Sequence, residues 1–217
     1  MSRLLKLLGG FGLSGLFLVM AHGAAHAATV TFNFNNCGGT GTPTTGNCNS
    51  TTETYYAGSY SIVATAEGSN AGNLYGKNTG TDERGLGLTS DSSGDDEITL
   101  GRYIQLNISN ILGNGPITIN MNSVSGTDAW SLFETNTPNS LVGATELGTA
   151  SMTGETFIIN PGPTDIYLDI VETHEGGNVL LSSLSFNTAA TPEPSSLALL
   201  GTGILGLAGA VRRKLNV

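Results

Sequence analysis

The densest chemistry-bearing stretch of the sequence is Asp91-Ser92-Ser93-Gly94-Asp95-Asp96-Glu97. Calcium takes roughly six to eight hard oxygen ligands, and a turn crowded with carboxylates and carbonyls can supply them. Asp91, Asp95, Asp96 and Glu97 are therefore the candidate metal ligands, and calcium is the one cofactor they suggest. Asp82 and Glu83 stand nearby across a short hairpin. The spacing is not that of an EF-hand loop, and a solvated acidic turn leading into a strand accounts for the same residues. Trp130, the single tryptophan, is the candidate ligand-binding residue. An exposed indole, helped by Tyr75 or Tyr103, can stack on a sugar ring, whereas a buried indole belongs to the core. Tyr55-Tyr56 is a second aromatic candidate.

Catalysis is harder to assemble. Beyond the first 27 residues His174 is the only histidine, and Lys77 is the only lysine before the C-terminal tail. No G-x-S-x-G, H-E-x-x-H or phosphate-cradling glycine motif occurs. Paired carboxylates can hydrolyse glycosides, but among so many surface acids such pairs arise by chance. The expectation is a protein that is not an enzyme, with no catalytic residues.

Charge narrows the partners. Between Ala28 and Ala190 the basic residues are Lys77, Arg84 and Arg102, set against sixteen acidic ones. Nucleic acid is excluded as a partner, because its phosphate backbone demands a basic surface. Anionic lipid is disfavoured for the same reason. Cys37 and Cys48 flank GGTGTPTTGN, a segment with almost no core-forming side chain. An even cysteine count suggests a disulfide if the compartment is oxidising. The spacing is not C-x-x-C and no second pair exists, which argues against a redox or zinc site.

The two ends read as addresses. Arg3 and Lys6 precede an apolar, glycine-broken stretch from Leu7 to Ala21, and Ala25-His26-Ala27 follows. Basic, apolar and small residues in that order are the layout of a secretory signal peptide. Residues 1–27 are its expected extent, as a helix that signal peptidase removes at the Ala25/Ala27 motif to leave Ala28 first. At the other end Thr191-Pro192-Glu193-Pro194-Ser195-Ser196 leads into an apolar run from Leu197 to Val211, and Arg212, Arg213 and Lys214 follow at once. Pro194 suits a helix's first turn. A helix over about 195–211 would be about 25 Å long, short against a hydrocarbon core of roughly 30 Å, though snorkelling basic residues cover part of the gap. The expectation is a short transmembrane helix with its basic tail 212–214 on the cytoplasmic side and the body outside.

The run TPEPSSLALLGTGILGLAGAVRRK resembles the PEP-CTERM sorting signal of Gram-negative bacteria: a Pro-Glu-Pro triplet, a short apolar helix and a basic cluster. The triplet here is Pro192-Glu193-Pro194, and the sorting region is 191–217. The resemblance implies recognition by an exosortase, a membrane-embedded protease and transpeptidase-like enzyme. It also implies transient anchoring in the inner membrane and delivery to the cell surface or the extracellular polysaccharide matrix. It implies nothing about the fold of the middle.

What must position any site is the body, residues 28–190. Val30, Phe32 and Phe34 alternate with polar residues, as do Tyr60, Ile62 and Ala64, then Ile104, Leu106 and Ile108, then Ile117, Ile119 and Met121. Ile98 and Leu100 lead toward the third of these runs. Trp130–Phe133, Phe157–Ile159, Ile166–Ile170 and Val179–Phe186 continue the pattern, and His174–Asn178 reads as a hairpin turn. No segment keeps a helical period. The fold class is all-β, an antiparallel β-sandwich of jelly-roll type, and the absence of a fixed repeat argues against a β-solenoid. Glu83–Leu88, Asp95–Ile98, Tyr103–Leu106 and Trp130 loosely resemble the bodies of other PEP-CTERM proteins. The functional expectation is a non-catalytic surface or matrix protein for adhesion or polysaccharide-matrix organisation. The alternative is a calcium-stabilised carbohydrate-binding module that holds exopolysaccharide.

Overall fold

The computed structural model describes residues 27–38, 44–80, 82–89, 94–124, 126, 128–150, 156–189 and 194–215. The residues before Ala27 that are expected to form the signal peptide, Asp91 of the acidic turn, and Pro192 and Glu193 of the tail lie outside the described residues. Ala27–Ala190 forms one compact unit. Along it run β1 (Thr29–Asn33), β2 (Gly46–Asn47), β3 (Thr52–Ala57), β4 (Tyr60–Gly68), β5 (Leu74–Thr79), β6 (Glu83–Leu88) and β7 (Ile98–Thr99). There follow β8 (Arg102–Asn107), β9 (Ile117–Asn122), β10 (Trp130–Thr135), β11 (Thr145–Ala150), β12 (Thr156–Ile159), β13 (Tyr167–Glu172) and β14 (Asn178–Asn187). Later in the sequence, among the described residues, Pro194–Leu215 forms the helix α1.

The strands form two antiparallel sheets. One is six-stranded in the order β11-β10-β13-β8-β4-β3. The other has the path β12-β9-β14-β6-β5-β2, with β1 and β7 also paired to β14. Alternation explains the layering, because side chains two apart share a face. Ile62, Ala64 and Ala66 of β4, Ile104 and Leu106 of β8, and Leu168 and Ile170 of β13 all point inward. Ile117, Ile119 and Met121 of β9, Leu86 and Leu88 of β6, and Leu184 and Phe186 of β14 meet them in one apolar cluster. The all-β sandwich is the observed fold class.

Connections repeatedly cross between the sheets. Strands β8, β9 and β10 alternate between them, and so do β11, β12, β13 and β14. The turn at His174–Asn178 is therefore not a hairpin. It carries the chain from β13 in one sheet to β14 in the other, closed by Gly177 N donating to His174 O at 3.1 Å. The residues from Val179 to Phe186 lie in one strand, with a register shift between Leu181 and Ser183.

Glycine lets backbones cross where side chains could not. A Cβ on Gly76 of β5 would lie 2.5 Å from the Asn36 backbone, and one on Gly87 of β6 would strike the backbone of Asp96 and Glu97. The segment before β7 thus runs directly over β6.

Candidate functional site

The helix α1 begins at Pro194 and carries Arg212, Arg213 and Lys214 in its last turn. Proline fits the first position, where its missing N–H has no partner to lose. The basic residues stand where the negative end of the helix dipole favours them, so the helix continues past the expected end at 211. Its apolar run from Leu197 to Val211 still covers only about 22 Å. Among the described residues no helix is long and apolar enough to cross a membrane. The expected span is not shown.

Of the acidic turn's described carboxylates, Glu97 does not join Asp95 and Asp96. Glu97 is buried, 1 % exposed, and its side chain turns under the sheet instead of joining the turn. There Lys77 Nζ donates to Glu97 Oε1 at 2.6 Å, and the Lys77 ammonium also pairs with Glu83. Ser123 Oγ donates to Glu83 Oε1 and Glu97 Oε1, each at 3.0 Å. Burial pushes the Glu97 carboxyl up to about 7, against the pull of Lys77. Burial alone would lower the Lys77 ammonium, but its two glutamate partners outweigh this and hold it above its ordinary value. Asp95 is exposed and Asp96 half-buried, the latter with a left-handed φ of 61°. The strand that follows explains where the Glu97 side chain goes. Glu97 leads directly into Ile98 and Thr99, both buried in β7, so its side chain is carried into the fold and finds a cation there. Among the described residues no group of three or more histidine, cysteine, aspartate or glutamate side chains is placed to hold a metal ion.

Trp130 presents no stacking face. It is fully buried between the sheets, edge-on to Phe157 with ring centroids 5.0 Å apart. Trp130 is opposite Glu172 in β13, whereas Tyr103 is opposite Val171, so the two aromatics lie on opposite faces of one sheet. Tyr75 belongs to the other sheet. Tyr55 is buried against Phe34 with its hydroxyl donating to Asn36 O at 2.9 Å, while Tyr56 is exposed. These aromatics do not converge on a sugar.

Cys37 and Cys48 are joined by a disulfide, Cα atoms 5.3 Å apart. Cys48 N donates to Leu74 O, so the bond fastens β2 to the sheet edge at β5. His174 is exposed in the crossing turn.

Two groups of buried polar side chains were not singled out in the sequence. Asp169, with no exposure, accepts from Gln105 Nε2 at 2.9 Å, and Gln105 in turn holds the β10–β11 loop by accepting from Asn139 N at 2.9 Å. Burial pushes the Asp169 carboxyl up to about 7 despite that hydrogen bond. The second group, Asp128 and Glu172, sits beside the crossing turn. A signal for Glu172 was present: inward-facing Leu168 and Ile170 put position 172 on the same face.

Residues 190–214 match the PEP-CTERM protein-sorting motif. The chain thus carries a PEP-CTERM sorting motif, which implies export, processing by an exosortase and a cell-surface or extracellular destination. No curated protein and no solved structure is significantly similar to it.

Proposed function

We propose that the chain is a non-catalytic surface or extracellular-matrix protein whose β-sandwich serves adhesion or organises the polysaccharide matrix. The observation that carries this reading is the sorting motif at 190–214, joined to a body of two packed sheets. Three features support it. The body is strongly acidic, which keeps an exported protein soluble and apart from anionic lipid. Its disulfide suits an oxidising compartment. Trp130, on which the carbohydrate-binding alternative rested, faces the core, so the first reading is preferred.

Processing follows from the same reading. Signal peptidase cuts between Ala27 and Ala28. Ala28 is already part of the fold, its carbonyl accepting from Thr188 N at 2.9 Å and its N–H donating to Thr188 Oγ1 at 3.1 Å. The apolar α1 helix holds the intermediate at the inner membrane of a Gram-negative cell until exosortase removes it. Exopolysaccharide is then the partner in the matrix. Intact-mass spectrometry of protein extracted from the surface of an exosortase-bearing host tests this. The expected species starts at Ala28 and has lost residues from Leu197 onward. A surface species that still ends at Val217 would overturn the reading. Display on the cells is then tested by matrix retention, which should fall when the gene is deleted.

A further inference from the structure

Four neighbouring strands of one sheet differ in chemistry from the rest of the body. Strands β1, β9, β12 and β14 contain no Asp, Glu, Lys, Arg or His. Every strand of the six-stranded sheet contains at least one charged residue. The uncharged strands stand in a body of sixteen acids and three bases between residues 28 and 190. Phe32, Leu184, Ile119 and Ile159 carry one face of them into the core. The residues that alternate with these face outward.

Register sets the outward residues in rows. Asn33, Ser183, Asn120 and Thr156 run across β1, β14, β9 and β12. Thr31, Ser185, Thr118 and Ile158 form the next row. The rows are already ordered from within. Thr156 Oγ1 donates to Asn120 Oδ1 at 2.7 Å, and Asn120 Nδ2 donates to Ser183 Oγ at 2.9 Å. Ser183 keeps its own O–H to donate, since a hydroxyl both accepts and donates. A ligand laid on the rows meets donors and acceptors fixed in place, which lowers the entropy cost of binding. The β1 edge of the face borders a groove of about 410 Å³ whose lining includes Thr29, Thr31, Ser59 and Tyr60. Tyr60 is half-buried, edge-on to Phe186 with ring centroids 5.0 Å apart, so it lends the groove an aromatic surface.

We propose that this face, with the groove at its β1 edge, binds a neutral polysaccharide. The inference rests on the matrix role proposed above and names the class of that partner. A sugar chain offers hydroxyls that donate and accept, and hydroxyl and carboxamide side chains answer both. The strands lie about 4.8 Å apart, close to the advance of one ring in an extended sugar chain, so successive rings can meet successive strands. Tyr60 adds an apolar ring on which a sugar can pack. An acidic polysaccharide would be repelled by the body's excess of carboxylates. A protein partner would need an apolar centre. The one apolar side chain in these rows, Ile158, stands instead at the rim, on the edge strand β12.

The full chain in a sugar-free detergent is run in native gels cast with glucan, mannan, galactan or polygalacturonate. The expected result is retardation by at least one of the three neutral glycans and none by polygalacturonate. Thr31→Val/Thr118→Val/Ser185→Ala strips the hydroxyls from one row. It should raise the apparent Kd for that glycan at least about tenfold, which is about 1.4 kcal/mol. Thr52→Val/Thr65→Val, a facing pair on the six-stranded sheet, should leave binding unchanged. Near-UV circular dichroism of Trp130 verifies that each variant is folded. Should the triple variant fail to fold, Thr31→Val alone, exposed on β1, decides with a loss of at least about threefold. The proposal is overturned if no neutral glycan retards the folded parent, or if polygalacturonate holds it as firmly. It is also overturned if the folded triple variant binds like the parent, or if that variant instead splits a dimer seen without polysaccharide. Matrix retention by cells is read separately. Retention that falls on gene deletion while the gels show no binding overturns this surface alone. Binding in the gels with retention unchanged on deletion upholds the surface and overturns the matrix role alone.

Discussion

Removing the Cys37–Cys48 bond isolates one stabilising term whose size follows from the chain alone. The bond closes a loop with a sequence separation of 11. The chain-entropy relation for a loop of that length gives about 2.8 kcal/mol at room temperature, arising mostly in the unfolded chain. The folded side should change little in Cys37→Ala/Cys48→Ala. Cys37 N still donates to Thr44 O at 2.7 Å and Cys48 N to Leu74 O at 2.9 Å, because those bonds use backbone groups. Cys37 is buried, 6 % exposed, and alanine is small and apolar enough to replace it without leaving a polar orphan. A body of about 160 residues unfolds with an entropy of about 0.34 kcal/mol/K, so the midpoint should fall by about 8 °C. The assay is thermal unfolding followed by circular dichroism, comparing the parent, the parent with reductant and the double variant. Reductant should bring the parent down to the variant's midpoint and leave the variant unmoved. Thiol labelling of the exported parent under denaturing, non-reducing conditions should find no free cysteine. A variant that is correctly folded yet loses less than about 2 °C would refute the argument, and the segment would then be ordered by its packing against β5 instead.

Asp169→Asn should alter the pH dependence of stability. An acid whose folded pKa, here about 7, lies above its ordinary 3.8 binds more protons when folded. Its stabilising share is complete below the ordinary value and is lost as pH rises through the folded one. Asparagine keeps the acceptor for Gln105 and cannot ionise, so the variant should match the parent in acid and exceed it by about 2 to 4 kcal/mol at mildly alkaline pH. Parallel denaturant midpoints across that range would contradict this. Gly87→Ala should cost several kcal/mol, on the order of 3, since its methyl would meet the backbone of Asp96 and Glu97. Hydrogen exchange should quicken over 94–99, and a variant as stable and as protected as the parent would show that the crossing is not tight.

The sorting tail was legible because its information is local. Apolar run and basic cluster are contiguous, and both lie on the one helix α1. The strands were legible for a related reason: an alternation of period two needs only neighbours along the chain, as in Ile117, Ile119 and Met121. Composition also limited the partners, because sixteen acids against three bases between residues 28 and 190 hold whatever the fold. Alternation says which residues share a face, but not which sheet a strand joins. The His174–Asn178 turn reads as a hairpin in sequence and becomes a crossing because β13 and β14 find different partners. The same limit governs the sites. Trp130 has an alternation that suits either face, and its burial depends on the opposing sheet. Glu97 belongs by sequence to an acidic turn, yet Lys77 and Ser123, distant in the chain, draw it inside. Asp128 and Glu172 meet only because β10 pairs with β13 and Gly177 leaves room between them. Local pattern is set by bonds along the chain. Which buried charges face one another is set by pairing between strands far apart in it, and only the folded packing decides that.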